Sequence, residues 1–535
     1  MSQAVVCPEP LAAKVGSDIF KKGGNAFDVM VATALAQGVV NPKLCSLAGN
    51  AGALTYHNKT GELKYFEMNV TSGSKAFPDV YEIEESGLDP WKYGFGIKVK
   101  DNANLYGYKS IVIPRLVRGL DVMHKRYGTM PWKELLQPAI KLARNGYKVY
   151  PYLVKMGFNE AGLPHLTANE ECAKIFTKNG RPYKVGETLV LKDYAKSLER
   201  VAEEGADVFY HGELAERMAE DIQAHGGFVT LEDLHMEQPS IYDPLVSDYH
   251  GYKILGDKPP GRGTFIREVF NILEGINLKE LGWNTPEYLN IIARTMLLGY
   301  DDRVKYMFDP KRVPGVMENT ERITSKEYAK KMREKILAEK HEKVSSLLTI
   351  EEGLGDDTTY LGVYDDEGNA VSLIHTINSS SGIVTPGLGF MYNGHMHSFN
   401  PQPGRPDSVA PRANPRTGGM ETMVLKAGKP YIIVGTPGGR ASADVQAILN
   451  VIEFGMNPQL AVSAPRLNIY KTGTVCVESN FPSPYPVENL EEMLGMKCKV
   501  DDYTGRLGCI VIDPDTGIVE AGTDPRGGGG LALLP

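Results

Sequence analysis

The run TTYLGVYDDEGNAVSLIHTIN, residues 358–378, constrains the fold more than any other, because it reads as two strands joined by a loop of turn-forming residues. The loop is Asp365 to Asn369, and a β-hairpin follows from it. A loop symmetric about Glu367 pairs Tyr364 with Ala370, and the same register carried to the open end of the hairpin pairs Thr358 with Thr376. Directly opposed residues have Cβ atoms about 5 Å apart, and a diagonal neighbour, here Asn378, lies roughly 7–8 Å away. Three polar side chains then converge at one end of an otherwise apolar hairpin. Cross-strand threonines also stabilise ordinary sheets, so spacing alone leaves a structural reading open beside a functional one.

Ahead of this hairpin most signals are helical. GTMPWKELLQPAIKLARNGY carries Leu135, Leu136, Ala139, Ile140, Leu142 and Ala143 at helical spacing, and Thr230 with Asp233 offers a capping box. Thr285 and Pro286 open a long apolar-faced helix, and TSKEYAKKMREKILAEKHEKV reads as a charged, solvent-facing one. From about Thr358 the chain turns strand-like, with a helical stretch near SADVQAILNVIEFG. Between the two regions, SSLLTIEEGLGDD has the composition of an exposed connecting segment. Helices with several hairpins predict a layered α+β fold in which helices cover sheet faces.

At 535 residues the chain exceeds the size at which single cores stop growing, so two domains or one large unit with layered halves are expected. With 42% apolar and 23% charged residues it is an ordinary globular composition, and a net charge of −8 gives no general attraction to nucleic acid. The start lacks the pattern of a secretory signal, and no window reaches the roughly 18 apolar residues of a membrane span. A cytoplasmic protein without membrane contact is expected. Six scattered cysteines indicate neither a zinc site nor a disulfide scaffold. His395 and His397 form an isolated H-x-H pair, too few ligands for a metal site, and no nucleotide-binding fingerprint occurs, so no metal or cofactor is expected.

A threonine hydroxyl is a poor nucleophile unless a base adjoins it, and an N-terminal threonine carries its own base in a free α-amine of pKa about 7.7–8.0. For Thr358 that requires a break after Asp357. Downstream, IIVGTPGGRAS sets Gly438 and Gly439 between a strand and a helix, where paired glycines can aim two N–H groups at an oxyanion. A tight turn or an anion nest is the other reading of the same pair.

Taken together, TTYLGVYDDEGNAVSLIHTINSSSG, GTPGGRASADVQAILNVIEFGMNPQLAVSAPR, DPRGGGG, LAAKVGSDIFKKGGNAFDVMVATALA and DVFYHGELAERMAEDIQAHGGFVTLEDL resemble the γ-glutamyltransferase family of N-terminal nucleophile hydrolases. The resemblance runs over nearly the whole chain. It implies a four-layer αββα sandwich and a precursor cut before Thr358 into fragments 1–357 and 358–535 that stay associated, with the processed protomers forming a homodimer. It also implies that Thr358 attacks an amide carbonyl while its α-amine shuttles the proton. Thr376 then bonds the nucleophile, Asn378 holds the α-amine or substrate, and the Gly438 and Gly439 amides stabilise the oxyanion.

The resemblance breaks in the substrate pocket. Where the family has an arginine that clamps the glutamyl carboxylate, LKYFEMNVTSG presents Glu67. His395 and Ser398 stand for the family's Gln and Asp, and Gly418 and Gly419 for its paired serines. Retained catalytic groups with a rebuilt pocket imply an amidohydrolase for a different acyl amide, with His395, Gly419, Arg412, Arg416 and Arg440 as candidate substrate contacts. A small acidic amide such as oxamate, releasing ammonia, is the expected substrate. A γ-glutamyl or cephalosporin-type acyl donor is the alternative, and an uncleaved binding protein of the same fold is the non-enzymatic one.

Overall fold

The structure is a computed structural model that describes residues 2–88, 94–339, 357–416, 419, 421–438, 441–469, 474–479, 487–501 and 505–535. The connecting segment SSLLTIEEGLGDD lies outside these up to residue 356. In chain order the strands of the two large sheets are β1 (Gln3–Cys7), β2 (Asn50–His57), β3 (Glu62–Met68), β4 (Ser240–Tyr242), β5 (Leu245–Tyr249), β6 (Tyr252–Gly256), β7 (Thr359–Tyr364), β8 (Ala370–Thr376), β9 (Glu421–Lys426), β10 (Lys429–Gly435), β11 (Gly508–Ile512), β12 (Val519–Thr523) and β13 (Gly530–Leu534). The first sheet runs β4-β3-β2-β8-β7-β1-β13 and the second β5-β6-β9-β10-β11-β12, with every neighbouring pair antiparallel.

The predicted hairpin is the β7–β8 pair, with Tyr364 opposite Ala370 as the turn residues require. Gly368 takes φ 87°, the left-handed region that glycine enters without strain, and its N–H donates to the Asp365 carbonyl at 3.1 Å. Both faces of β7 are buried because successive side chains enter different cores: Leu361 and Val363 join one, Tyr360 the other. The first core packs helices against the outer face of the first sheet. The second contains Tyr360 and Ile374 from the first sheet with Met423, Ile432 and Ile510 from the second, so the two sheets share it. The fold is thus a mixed α/β arrangement with two face-to-face sheets and helices packed against them.

The anticipated helices at 132–145, 286–306, 326–338 and 441–452 are present, as is the Thr230–Asp233 capping box. Most of the described helices precede residue 357, as the sequence signals indicate, but strands are not confined to the second part. Six of the strands, β1 to β6, precede residue 357, and both sheets mix strands from either side of it. The sequence hides them because β2, NAGALTYH, is covered on both faces and lacks the alternation that marks a half-exposed strand.

Helix α1 (Pro10–Phe20) and helix α2 (Ala26–Val40) cover the first sheet beside β7. Every residue of α2 is buried, so its stability rests on packing and on its ends rather than on an amphipathic face. Asn25 caps it, accepting from the N–H groups of Phe27 and Asp28 at 3.0 and 3.1 Å, while Asp28 returns a bond from the Asn25 N–H at 3.0 Å. The Asp365 carboxylate of the hairpin loop accepts from the Ala26 N–H at 2.8 Å, locking the hairpin to the helix start. Replacing Asn25 by Ala removes this cap and the bond from its amide to the Tyr127 carbonyl, and is expected to lower unfolding stability by about 1–2 kcal/mol. A denaturant titration checks it; an unchanged midpoint would show that the cap contributes nothing.

Candidate active site

Thr358 immediately precedes β7. The ladder that sets Thr359 opposite His375 continues by one step to bring Thr358 opposite Thr376, as the hairpin register predicts, and Thr376 in turn faces Asn50 of β2. The Thr376 hydroxyl donates to the carbonyl oxygen of Asp357 and accepts from the Asn378 N–H at 2.6 Å. A hydroxyl has one proton, so accepting from the Asn378 amide leaves that proton directed at the Asp357 carbonyl. Asn378 adopts φ 52°, a left-handed conformation that asparagine tolerates better than most residues. Its side-chain amide lies 3.1 Å from Nε2 of His397, and its buried Oδ1 accepts no hydrogen bond from the described residues.

Three basic groups surround the Asp357–Thr358 peptide, and the sequence alone singles out none of them. Lys43, on the turn after α2, reaches the Asp357 carboxylate at 2.7 Å, with side chains only 5% and 22% exposed. Arg506, just ahead of β11, donates from Nη2 to the Thr358 carbonyl at 3.2 Å. His165 sets Nδ1 2.9 Å from the Ser380 carbonyl. Burial works against ionised Asp357, but the ammonium of Lys43, bonded to it, and the guanidinium of Arg506 outweigh it and hold the carboxyl below its ordinary range. Burial, then Lys43, pushes the His165 imidazole down to about 4, leaving that ring neutral.

Behind β7 a second polar cluster fixes the strand's first residue. Buried Glu9 accepts from the Thr359 hydroxyl at 2.9 Å, from Gln37 at 2.7 Å and from Asn41 at 2.8 Å. Gln37 also donates to Thr359 Oγ1 at 2.9 Å and to the Tyr360 carbonyl at 3.1 Å, while its Oε1 lies 3.0 Å from Nε2 of His375. Since a strand residue presents its side chain opposite to the next, anchoring Thr359 on this side turns Thr358 toward the space between the sheets. The second sheet meets β7 at this end. Gly508 stands opposite Gly435 and leaves no room for a Cβ beside the Tyr360 ring, 2.8 Å away. The loop carrying Gly438, at φ 88°, leaves β10 there and leads into the helix at 441–452. Gly439 and Arg440 lie outside the described residues, as does Gly418.

The other anticipated contacts divide. Glu67 on β3 points to the same inter-sheet face as Tyr360, through the row Tyr360–Ile374–Gly52–Glu67, and pairs with Arg115 at 3.0 Å. Gly419 could not carry a side chain without striking the Glu421 carboxylate, which itself accepts from the Tyr65 hydroxyl. Burial, reinforced by Asp257, pushes the Glu421 carboxyl far up. His395 and Ser398 are buried close to Asn378 in sequence and in space, on the turn that presents His397. Arg412 and Arg416 are engaged elsewhere: Arg412 bonds Asp233 at 2.7 Å, and Arg416 pairs with Asp407 and stacks over Phe308 at 4.9 Å. Neither of these arginines joins the groups around Thr358. Among the described residues no three His, Cys, Asp or Glu side chains converge as metal ligands, and no helix is long and apolar enough to cross a membrane.

Residues 12–534 match the family model for gamma-glutamyltranspeptidase. The chain is 32% identical over 542 residues to the glutathione hydrolase proenzyme of Escherichia coli (strain K12), covering 98% of this chain and 90% of that one. It is 33% identical over 472 residues to the acylase ACY 1 proenzyme of Pseudomonas sp. (strain SE83), covering 86% and 82%. Among solved structures, cephalosporin acylase from Bacillus halodurans superposes with a TM-score of 0.86 at 29% identity over 99% of this chain and 95% of the other.

Burial and then His397 hold the His395 imidazole well below its ordinary 6.5 in the folded chain. As pH falls below about 6.5 the unfolded chain takes up a proton there that the folded one refuses, so stability is lost toward acid. His395→Gln should flatten the acid side of a stability-versus-pH curve by about 1.4 kcal/mol per pH unit. An unaltered acid slope would show that His395 is protonated in the folded protein.

Proposed function

We propose, for a chain that belongs to the gamma-glutamyltranspeptidase family of N-terminal nucleophile hydrolases and so acts on amide C–N bonds, that Thr358 is the nucleophile and that it is freed by self-cleavage after Asp357. The observation that carries this is the Thr376 hydroxyl directed at the Asp357 carbonyl, across the hairpin from Thr358. Thr358 Oγ adds to that carbonyl carbon, and the Thr376 proton steadies the oxygen as it becomes negative. The peptide nitrogen takes up the proton lost from Oγ and leaves as an amine, the Asp357 acyl group passes to Oγ as an ester, and water cleaves the ester to the Asp357 carboxylate and the free hydroxyl. The products are fragments 1–357 and 358–535, which remain together because both sheets interleave their strands. The αββα layering assigned to the fold rests on the shared inter-sheet core and on the helices packed beside it.

In the cleaved protein the α-amine of Thr358 takes the hydroxyl proton as Oγ attacks a substrate amide. The oxyanion is held by the Gly438 and Gly439 amides, and the proton returns to the departing nitrogen. Water, deprotonated by the same amine, then hydrolyses the ester. Asn378 Oδ1, a buried acceptor without a donor among the described residues of the uncut chain, suits the new amine.

For the acyl group, a γ-glutamyl carboxylate is disfavoured by Glu67, an acid where the family places an arginine, and by the Glu421 side chain, which fills the space beside Gly419 where the family has a serine. A small acidic amide, oxamate being the smallest of the class, hydrolysed with release of ammonia, is the substrate proposed. The protein is assigned to the cytoplasm, with the processed protomer as the working unit of a homodimer.

Denaturing electrophoresis of wild type should show two bands and Thr358→Ala one uncut chain without amidase activity. Thr376→Val should slow self-cleavage by roughly 10²–10³-fold, the effect of losing one oxyanion donor. Cleavage at the wild-type rate would remove Thr376 from the mechanism. An ammonia-release assay should favour small carboxylated amides, and preference for a γ-glutamyl anilide would reverse the pocket assignment.

A further inference from the structure

In the uncut chain the buried ammonium of Lys43 bonds Asp357 and no other described residue. Asp357 is not an arbitrary partner. Its carbonyl is the acyl group that Thr358 takes during self-cleavage, and the ester so formed has the same bond, on the same oxygen, as the ester formed in turnover. Asp357 is therefore the first acyl group this site handles. Its recognition in the uncut chain has two parts: Thr376 on the carbonyl oxygen, and Lys43 on a carboxylate two carbons further along.

Resting on the N-terminal threonine reading above, we propose that Lys43 is the carboxylate-binding residue of the cleaved enzyme, occupied by the Asp357 side chain before cleavage and by the substrate's carboxylate after it. Among the small acidic amides proposed above, the preferred substrates are those with two carbons between amide carbonyl and carboxylate, succinamate being the parent compound, rather than oxamate, which has none.

Three further observations converge on this assignment. Gly157, at φ 139°, leaves no room for a Cβ beside the Lys43 stem, whose Cγ would lie 2.8 Å from it, so backbone lies directly along the side chain and limits its movement. Arg506, on the Thr358 carbonyl, adds a second positive charge beside the peptide, and the depressed carboxyl of Asp357 registers its field together with that of Lys43. Meanwhile Glu67 and the Glu421–Tyr65 pair deny a carboxylate the position from which the family's arginine would hold it. When the new chain end at Asp357 moves away, Lys43 is left as a buried ammonium without an anion, a costly state that a substrate carboxylate relieves.

The test uses fully self-cleaved protein, with Thr358 verified as a chain end by mass spectrometry. Ammonia release is measured from succinamate and from butyramide, its near-isostere with a methyl group for the carboxylate. Wild type should show a kcat/KM ratio of at least tenfold in favour of succinamate, and Lys43→Met should reduce that ratio by about 10- to 100-fold, the contribution of a charge-assisted hydrogen bond. Because the variant could fail to self-cleave, inhibition of wild type is measured alongside: succinate should compete with substrate at concentrations where butyrate does not. Equal turnover of the two amides, equal inhibition by the two acids, or a Lys43→Met defect that lowers both amides in proportion would overturn the assignment of Lys43 while leaving the amidohydrolase standing. Cleaved protein that turns over no amide of any acyl group would overturn the amidohydrolase itself, and Lys43's role with it.

Discussion

The antiparallel register between β7 and β8 is the constraint on which the rest depends, because it brings two threonines from opposite ends of a hairpin to face one another beside one peptide bond. A slip of one residue would turn Thr358 or Thr376 onto the other face of the sheet and separate them. Several features resist such a slip. Gly368 and Asp365 fix the loop, Asp365 ties that loop to the start of α2, and Leu361 and Tyr360 belong to different cores that would both be emptied. The proposed catalytic arrangement thus draws its precision from the interior of the fold rather than from the loops that surround the site.

The polar groups of the site fall on two sides of β7 and behave differently. On the α2 side, Glu9, Gln37, Asn41 and Thr359 bond one another in a network that holds the strand, with Asn41 Oδ1 left without a donor among the described residues. On the inter-sheet side stand Thr358 and Thr376, and around the Asp357–Thr358 peptide the groups are poised: Asn378 Oδ1 lacks a donor among the described residues, His165 is neutral, and Lys43 is matched to a carboxylate of the peptide proposed to be cut. Removing that peptide bond changes the second side and leaves the first intact. Such a division suits a protein that must break its own chain without loosening its core.

Much of this is legible in the amino-acid sequence. The hairpin and its register follow from turn chemistry and residue counting, and Thr376 and Asn378 from the same count, because those signals are local. What stays hidden is non-local. Lys43 follows an apolar helix in NPKLC with nothing to mark it, and it acquires meaning only when residue 357, over three hundred positions away, folds against it. Arg412 and Arg416 have the right chemistry for a carboxylate but are taken by Asp233 and Asp407, pairings that no spacing announces. Glu421 is inconspicuous in the sequence because an acid at the start of a strand is ordinary, whereas one enclosed against Tyr65 and Gly419 is not.

The most direct test of the central claim is mass spectrometry of protein quenched during turnover of a slow amide, followed by digestion and mapping of the acyl group. The account predicts a peptide that begins at Thr358 with a free α-amine and carries the acyl group as an ester on that threonine. Active protein in which the Asp357–Thr358 bond is intact, or in which the acyl group sits on any other residue, would contradict it.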